Sequence, residues 1–279
     1  MSDAAGRPAL PPVDLHLDVA HPSRMYDYYL GGKDNFPADR EAADRVLQIA
    51  PEVRTAALMN RAFLGRAVRC AAESGVGQFL DIGTGIPSAG SIHEIAQTVD
   101  PRARVVYVDN DPIVLAHARA LMGAPGHGAT HVVRADLREP QLILGEPELG
   151  RLLDLGKPVA LVLAAILHFI PDGDDPHRIV EELLAPLPAG SMLILSHAGW
   201  DVSGAVDPQQ ASDAAEVTAA YSRATAQLHL RDHKDISRFF TGLDLLEPGL
   251  IPLAAWRSAA TPEQLYATRG FLGGVGTKP

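Results

Sequence analysis

The sequence has a single cysteine and no long apolar run, and each shortage excludes a class of protein. Cys70 alone cannot form an internal disulfide or a cysteine-based zinc site, and its apolar surroundings indicate a buried structural thiol. No stretch reaches the roughly 20 apolar residues of a transmembrane helix. The N-terminus also lacks the basic and apolar regions of a secretory signal. We therefore expect a cytoplasmic protein without a membrane partner.

Positive charge and aromatic residues are scarce as well. The chain has 24 basic against 34 acidic side chains, a formal net charge of −10. Such a surface, without a lysine- or arginine-rich run, repels a phosphate backbone, so general nucleic-acid binding is not expected. The 11 histidines are scattered and form no HExxH pattern, so no metal site is assigned. The expected partner is a small molecule, and the sequence does not indicate an oligomeric state.

Hydrophobic residues make up 47% of the 279 residues, enough for one large α/β domain with an extension. Residues 1–12 are expected to form a disordered tail, 13–74 a helical N-terminal extension, and 75–279 the main domain. The predicted strands are Gln78–Ile82, Arg104–Asp109, Thr130–Arg134, Pro158–Ala164, Ser191–Ser196, Leu243–Leu246 and Leu265–Phe271. Helical patterns separate most of them, which predicts a parallel sheet covered on both faces.

A glycine-containing loop, Asp81-Ile-Gly-Thr-Gly85, follows the first predicted strand. Gly83 and Gly85 allow positive φ angles and a close approach of a ligand to the backbone. A dinucleotide site has the pattern G-x-G-x-x-G, but the third position here is Ser88. The carboxylate of Asp81 would oppose a pyrophosphate, whereas it suits the ammonium group of a nucleoside–amino-acid cofactor. We favour that second cofactor class and keep the dinucleotide as the alternative.

Acidic residues also follow the next two predicted strands. Asp109 ends the second strand, where an acid can accept hydrogen bonds from both ribose hydroxyls. Asp136 follows the third strand and is a candidate acceptor for an adenine amino group, with Leu137 packing on the ring. Asp111 precedes Pro112 and is interpreted as a helix cap. Three acids after three successive strands predict one nucleoside site.

The segment after the fourth strand is the expected place for catalytic residues. His168 lies in it and is a candidate general base, with packing beneath the site as the alternative. His197, after the fifth strand, allows the same two interpretations. The segment has neither an Asn-Pro-Pro-Tyr motif nor a Pro-Cys motif, so methylation of DNA bases is not expected.

The stretch from Tyr26 to Phe36 is unusually rich in aromatic residues and glycine for a linker. It suggests a lid over the cofactor that bends at two glycines, Gly31 and Gly32. In this hypothesis Tyr29 stacks on or donates a hydrogen bond to the cofactor, and Lys33 pairs with a carboxylate. The alternative is that the tyrosines only pack the extension onto the domain.

The sequence resembles the class I S-adenosylmethionine-dependent methyltransferases, and more closely an actinobacterial branch formerly described as a domain of unknown function. The stretches that carry this resemblance are Pro22–Phe36, Asn60–Leu64, Phe79–Pro87, Val108–Ala118 and Gly273–Gly276. The resemblance implies a Rossmann-like, doubly wound sheet of seven strands with the last strand antiparallel. Pro87 departs from the superfamily pattern, because many class I enzymes have a third glycine there.

The resemblance also implies a cofactor, S-adenosylmethionine. Asp81, Gly83 and Gly85 are expected around its amino-acid part, Asp109 at the ribose and Asp136 at the adenine. The remaining expected contacts are Thr84, Asn110, Leu137 and Ala164. The function that follows is methyl transfer to a small molecule. Two alternatives stay open: a sensor that binds S-adenosylmethionine without turnover, and an NAD-dependent oxidoreductase.

Overall fold

The computed structural model describes residues 15–87, 90–122, 129–199 and 208–279, so the predicted tail at 1–12 and Ser88 lie outside it. The helices are α1 Pro22–Tyr29, α2 Pro37–Ile49, α3 Val53–Glu73, α4 Ile92–Val99, α5 Pro112–Met122, α6 Pro140–Leu144, α7 Pro147–Leu152, α8 Pro176–Leu184, α9 Pro208–Tyr221, α10 His233–Arg238 and α11 Pro262–Ala267. The strands are β1 Gln78–Ile82, β2 Arg104–Asp109, β3 Thr130–Arg134, β4 Ala160–Ala164, β5 Met192–Ala198, β6 Asp244–Leu245, β7 Ile251–Pro252 and β8 Phe271–Thr277. Among the described residues, none of these helices combines the length and the apolar character needed to cross a membrane.

All the described strands belong to one sheet with the order β3-β2-β1-β4-β5-β8-β6. Strands β1 to β5 are parallel, and β8 pairs antiparallel with β5. The predicted doubly wound sheet with an antiparallel last strand is therefore confirmed. The described sheet has eight strands rather than seven, because the two-residue strands β6 and β7 pair with different parts of β8. The strand order reverses between β1 and β4, which is where ligands bind in such sheets.

The last strand was placed too early by the sequence pattern. Leu265–Phe271 is not a strand: α11 occupies Pro262–Ala267, and its N-terminus has a reciprocal cap between Thr261 and Gln264. The true strand, β8, contains three glycines and so has low β-propensity. A Cβ atom on Gly273 would lie 2.6 Å from Leu253 and 2.8 Å from Phe63, so close packing requires glycine there.

The two faces of the sheet bury alternate residues of each strand. Phe79 and Val105 pack with α3 and α4 on one face, whereas Leu80 and Val106 pack with α8 on the other. Both faces of the parallel strands are thus covered, as the near-continuous apolar runs of the sequence require. The polar residues that follow the strands are left at the carboxyl edge.

A third apolar cluster joins the N-terminal extension to α9. Met25 and Tyr29 of α1, Val46 of α2, Ala57 of α3 and Tyr221 of α9 are all buried in it. The extension therefore has its own core, which covers the carboxyl edge of the sheet. Two segments almost 200 residues apart in the chain close over the same region.

A buried ion pair holds the extension together. Arg24 and Asp39 are 2% and 0% exposed, and the Nε atom of Arg24 donates to both carboxylate oxygens at 3.0 and 2.9 Å. The same carboxylate accepts the backbone N–H groups of His21 and Phe36. Because both charges are buried, removing either partner leaves an uncompensated charge.

The two glycines predicted as a lid bend end α1 instead. Gly31 has a φ of +79°, and a Cβ atom on Gly32 would lie 2.0 Å from Oδ1 of Asp27. The other carboxylate oxygen of Asp27 accepts hydrogen bonds from the backbone of Asp34 and the side chain of Asn35. The glycines are thus required by a close helix-terminal turn. The role of the extension as a lid stays a prediction.

Candidate active site

One cavity of about 630 Å³ lies at the carboxyl ends of the parallel strands, beneath the extension and α9. Its volume is within the range of about 300–1,000 Å³ that is usual for ligand sites. The structure brings nearly all the predicted site residues to its wall: Tyr29, Asp81, Gly83, Thr84, Gly85, Asp109, Asn110, Asp136, Leu137, Ala164 and His168. Lys33 is the exception, because it is exposed and is not part of the cavity wall.

The glycine loop after β1 is shaped by a close neighbour and by hydrogen bonds to β2. Gly83 has a φ of +77°, and a Cβ atom on it would lie 2.6 Å from Cγ1 of Ile166. Its N–H donates to the carbonyl of Val108 at 2.8 Å. Gly85 has a φ of +65°, yet its Cβ position meets only open space. Gly83 is therefore needed for packing and conformation, and Gly85 for conformation only.

Asp81 is a buried carboxyl group in the cavity wall, with 6% exposure. Burial raises the pKa of Asp81 to about 7, the Arg61 guanidinium opposes this rise, and the nearby Asp109 carboxylate adds to it. About half of the Asp81 carboxyl groups are thus ionised near pH 7, and a cation bound beside Asp81 would favour the ionised form. Such a group is suited to an ammonium ligand and unsuited to a phosphate.

Asp109 organises the loop while it faces the cavity. Its Oδ2 accepts the N–H of Gly85 at 3.0 Å, and its Oδ1 accepts the N–H of Asp111 at 2.9 Å. Burial nevertheless raises the pKa of Asp109 to about 6. Each carboxylate oxygen has further lone pairs for the hydroxyl groups of a ribose. Asp111 caps α5 by accepting the N–H of Ile113, so that interpretation is confirmed.

Asp136 differs from the other two acids because it already has a cationic partner. Arg138 binds it through Nε at 2.9 Å and Nη2 at 2.6 Å, and Asn110 donates to it at 3.1 Å. The hydrogen bonds from Arg138 lower the pKa of Asp136 to about 2. Asp136 therefore stays ionised. An adenine that contacts Asp136 would bind a carboxylate that also binds Arg138. The sequence argument missed Arg138, although the spacing Asp-x-Arg was available to indicate the pair.

His168 is placed in the cavity wall, but its hydrogen bonds argue against a general base. Its Nδ1 atom accepts the backbone N–H of Ala198 at 3.1 Å, so the proton of the neutral ring is on Nε2. Burial lowers the pKa of His168 to about 3, and the Arg231 guanidinium lowers it further. The ring is therefore a neutral hydrogen-bond donor. This geometry supports the packing alternative for His168.

His197 does not face the cavity, which supports the packing interpretation and not a general base. It is fully buried, and its Nε2 atom accepts a hydrogen bond of 2.9 Å from Arg231. The same guanidinium donates to the carbonyls of Leu167 and Ile170 and to the Asp172 carboxylate. His197 thus helps Arg231 fix the segment that follows β4. The alternation of side chains along β5 is what turns His197 away from the site.

A chain of hydrogen bonds connects the strand ends to the extension. The N–H of Ala165 donates to Oγ of Ser196 at 2.9 Å, and this hydroxyl donates to Oδ1 of Asn60 at 2.7 Å. Nδ2 of Asn60 donates to the hydroxyl of Tyr26 at 2.9 Å, which donates to the carbonyl of Ala57. The N–H of Ala165 and both hydroxyl groups in this chain have an acceptor. The chain orients α1 relative to the tips of β4 and β5.

Apart from Tyr29, the far wall of the cavity was not predicted from the sequence. This wall is apolar, and we call it the apolar end: Tyr29, Val46, Ala57, Phe169, Val217 and Tyr221. His229, from the segment after α9, lines the cavity too. Apart from Tyr29, no local motif indicates these residues, because their side chains meet only through the packing of α1, α2, α3, α9 and the segment after β4.

The strand order, the glycine loop and the acids at three strand ends together define a class I methyltransferase fold. The chain belongs to the S-adenosyl methyltransferase family, whose model matches residues 9–279. Among solved structures, it is similar to a DUF574 family protein from Streptomyces avermitilis, with 41% identity and a TM-score of 0.87 over 95% of this chain and 100% of that chain. It is also similar to a putative methyltransferase from Thermobifida fusca, with 36% identity and a TM-score of 0.85 over 97% and 99% of the two chains. No curated protein matches the sequence.

Family membership decides between the cofactor classes. The chain is an S-adenosylmethionine-dependent methyltransferase, and the NAD-dependent alternative is set aside. The residues present suit this cofactor, because the buried carboxyl group of Asp81 needs a cation and Asp109 offers acceptors for hydroxyl groups. The open space at the Cβ position of Gly85 also leaves room for a ligand beside the loop backbone.

Proposed function

We propose that the methyl acceptor is a small aromatic molecule that binds in the apolar end of the cavity. The observation that carries this proposal is the concentration of aromatic rings there. Aromatic residues are only 5% of the sequence, yet five of them line this one cavity, and three of these five belong to the apolar end: Tyr29, Phe169 and Tyr221. Stacked and edge-on aromatic contacts favour a flat, apolar ligand.

In this proposal the strand ends hold the cofactor. Asp81 binds the ammonium group, Asp109 the ribose hydroxyls, and Asp136 with Leu137 the adenine. Gly83, Thr84 and Gly85 supply the backbone of the loop, and Asn110 and Ala164 complete the contacts. Tyr29 belongs to the acceptor side rather than to the cofactor side, because it packs in the cluster with Val46, Ala57 and Tyr221.

The protein contributes mainly orientation and the exclusion of water. When bound, the cofactor supplies an electrophilic methyl group on a sulfonium sulfur. The extension and α9 cover the cavity and hold an acceptor against the strand ends, which reduces the entropic part of the barrier. Because Nδ1 of His168 already accepts the backbone N–H of Ala198, His168 does not activate the acceptor as a base. The acceptor is accordingly a group that is nucleophilic without removal of a proton by His168.

A labelled-methyl assay tests this proposal directly. The protein is incubated with S-adenosylmethionine labelled on the methyl group and with a panel of small aromatic, aliphatic and nucleic-acid acceptors. Transfer to aromatic molecules alone is the expected result. Transfer only to nucleic acid or to aliphatic molecules would reject the aromatic acceptor.

A pair of variants localises the acceptor. Val217→Trp fills the apolar end from α9, whereas Ala219→Trp places the same ring on the exposed side of that helix. We expect Val217→Trp to abolish transfer without changing the dissociation constant of S-adenosylmethionine, and Ala219→Trp to change neither. Calorimetric binding without transfer to any acceptor would instead favour the sensor hypothesis.

A further inference from the structure

The apolar end contains two hydroxyl groups that are bonded to each other, those of Tyr29 and Tyr221. Their oxygen atoms are 3.2 Å apart, and the residues are 192 positions apart in the sequence. The side chains are 3% and 7% exposed, and both line the cavity. This pair thus puts a polar feature into an otherwise apolar wall.

The pair has one hydrogen more than its mutual bond can use. Two hydroxyl groups carry two hydrogens, and the bond between them takes one. Within the described ranges neither hydroxyl has another hydrogen-bond partner, so one O–H group lacks an acceptor. A buried donor without an acceptor is unfavourable and needs a partner from a ligand or water.

Both hydroxyls keep their hydrogens at neutral pH. Burial raises the pKa of Tyr221 to about 12, and burial raises the pKa of Tyr29 well above its ordinary value. The pair therefore acts as a donor and not as a base. A hydroxyl that accepts one hydrogen bond also donates a second one more strongly.

We propose that the Tyr29–Tyr221 pair donates this hydrogen to an oxygen of the methyl acceptor, and so selects aromatic molecules with a carbonyl or ether oxygen. This inference rests on the proposed binding of the acceptor in the apolar end. The ligand oxygen completes the hydrogen bonding of a buried pair, whereas a hydrocarbon of the same shape leaves it incomplete. Selection by an unmatched polar group is strong because the wrong ligand leaves that group unpaired.

Two probes of equal shape test the inference. Acetophenone has a carbonyl oxygen where α-methylstyrene has a methylene group. Their dissociation constants are measured by ligand-observed NMR on protein saturated with S-adenosylhomocysteine. Acetophenone is expected to bind about 2- to 12-fold more tightly, which corresponds to one net hydrogen bond.

Variants assign the preference to the pair. The double variant Tyr29→Phe/Tyr221→Phe removes both hydroxyls together and so leaves neither one unpaired, which favours correct folding. It should bind the two probes equally. The control is Tyr28→Phe, because Tyr28 bonds to Asp44 and is not part of the cavity wall; it should keep the preference.

Each other result overturns a defined part of the argument. Equal binding of the two probes to the unmodified protein, or a preference that survives in the double variant, rejects the donor role of the pair. If Val217→Trp blocks both probes in that case, the proposed acceptor site still stands. If neither probe binds the unmodified protein, the acceptor site fails and the donor role fails with it.

Discussion

The two ends of the cavity are built in different ways. At the strand ends, polar residues are positioned by contacts within one loop or between the loops after adjacent strands, as when Asp109 accepts the N–H groups of Asp111 and of Gly85. At the apolar end, the wall comes from four helices and the segment after β4, and Tyr29 meets Tyr221 across 192 positions. If the proposed sites are correct, cofactor binding depends on residues near the strand ends and acceptor binding on the packing of distant helices. In that case the apolar end can change its shape without altering the loops proposed to hold the cofactor.

The largest effect should come from breaking the extension. Arg24→Ala leaves the carboxylate of Asp39 buried without its cation, which is expected to cost about 3–5 kcal/mol of stability. The measurement is the free energy of unfolding from a urea titration followed by circular dichroism. Arg45→Ala removes an exposed arginine from α2 and is the control, with an expected change of at most about 0.5 kcal/mol. Similar values for the two variants would show that the buried pair does not hold the extension.

The glycine loop offers a comparison within the strand-end region. Gly83→Ala and Gly85→Ala both put alanine at a positive φ, but only the first brings a Cβ atom against Ile166. Gly85→Ala should cost about 1–2 kcal/mol for the conformation alone. Gly83→Ala should cost a further 1–3 kcal/mol or so for the clash. Thermal and urea unfolding measure both values. Equal losses of stability would show that the contact with Ile166 does not destabilise Gly83→Ala.

Asp81→Asn should weaken cofactor binding at the strand ends without changing ligand binding at the apolar end. The variant keeps the size of the side chain and removes the charge that we propose for the ammonium group. Hydrogen bonds to charged groups contribute about 1.5–3 kcal/mol, so the affinity for S-adenosylmethionine should fall about 10- to 150-fold. Binding of acetophenone at the apolar end should stay unchanged. Calorimetry on the variant decides, and an unaltered cofactor affinity would reject the role of Asp81.

The smallest expected effect is a pH dependence of cofactor affinity. Burial raises the pKa of Asp81 to about 7 from its ordinary value of 3.8, and an ammonium ligand needs the ionised form. Affinity should thus be about half of its high-pH limit at pH 7 and about tenfold lower than that limit at pH 6. Asp81→Asn should lose this dependence. A flat profile in the unmodified protein would contradict the raised pKa.

The same shift gives an opposite trend for the contribution of Asp81 to the stability of the cofactor-free protein. Between pH values of about 4 and 7, Asp81 and Asp109 each bind more protons in the folded state than in the unfolded state, because their pKa values are raised on folding. Their contribution to the free energy of unfolding should accordingly fall as the pH rises through this window, whereas the lowered pKa of His168 contributes with the opposite sign. Urea titrations of the unmodified protein and of Asp81→Asn at several pH values isolate the contribution of Asp81. The stability of the unmodified protein relative to the variant should fall as the pH rises, and saturation with S-adenosylmethionine should weaken this trend.

The sequence by itself determined the parallel sheet, the glycine loop and the acids at the strand ends. Apolar runs, turns and the spacing of Asp81, Gly83 and Gly85 are local signals, and the carboxyl ends of parallel strands meet at one edge. The position of β8 was not predicted from the sequence, because its glycines have low β-propensity. Close packing requires those glycines. The sequence also left two interpretations open for His197, whose direction follows from the pairing of β5.

Only the tertiary structure showed which residues form the apolar end of the cavity. The role of His168 could be judged only from its hydrogen bond with the N–H of Ala198. Lys33 lies outside the cavity wall because Asp27 and the glycines before Lys33 form a helix-terminal turn. The contact between Tyr29 and Tyr221 likewise could not be predicted from the sequence. Contacts across 192 positions are set by how helices pack, and packing depends on the shapes of many side chains at once rather than on any local pattern.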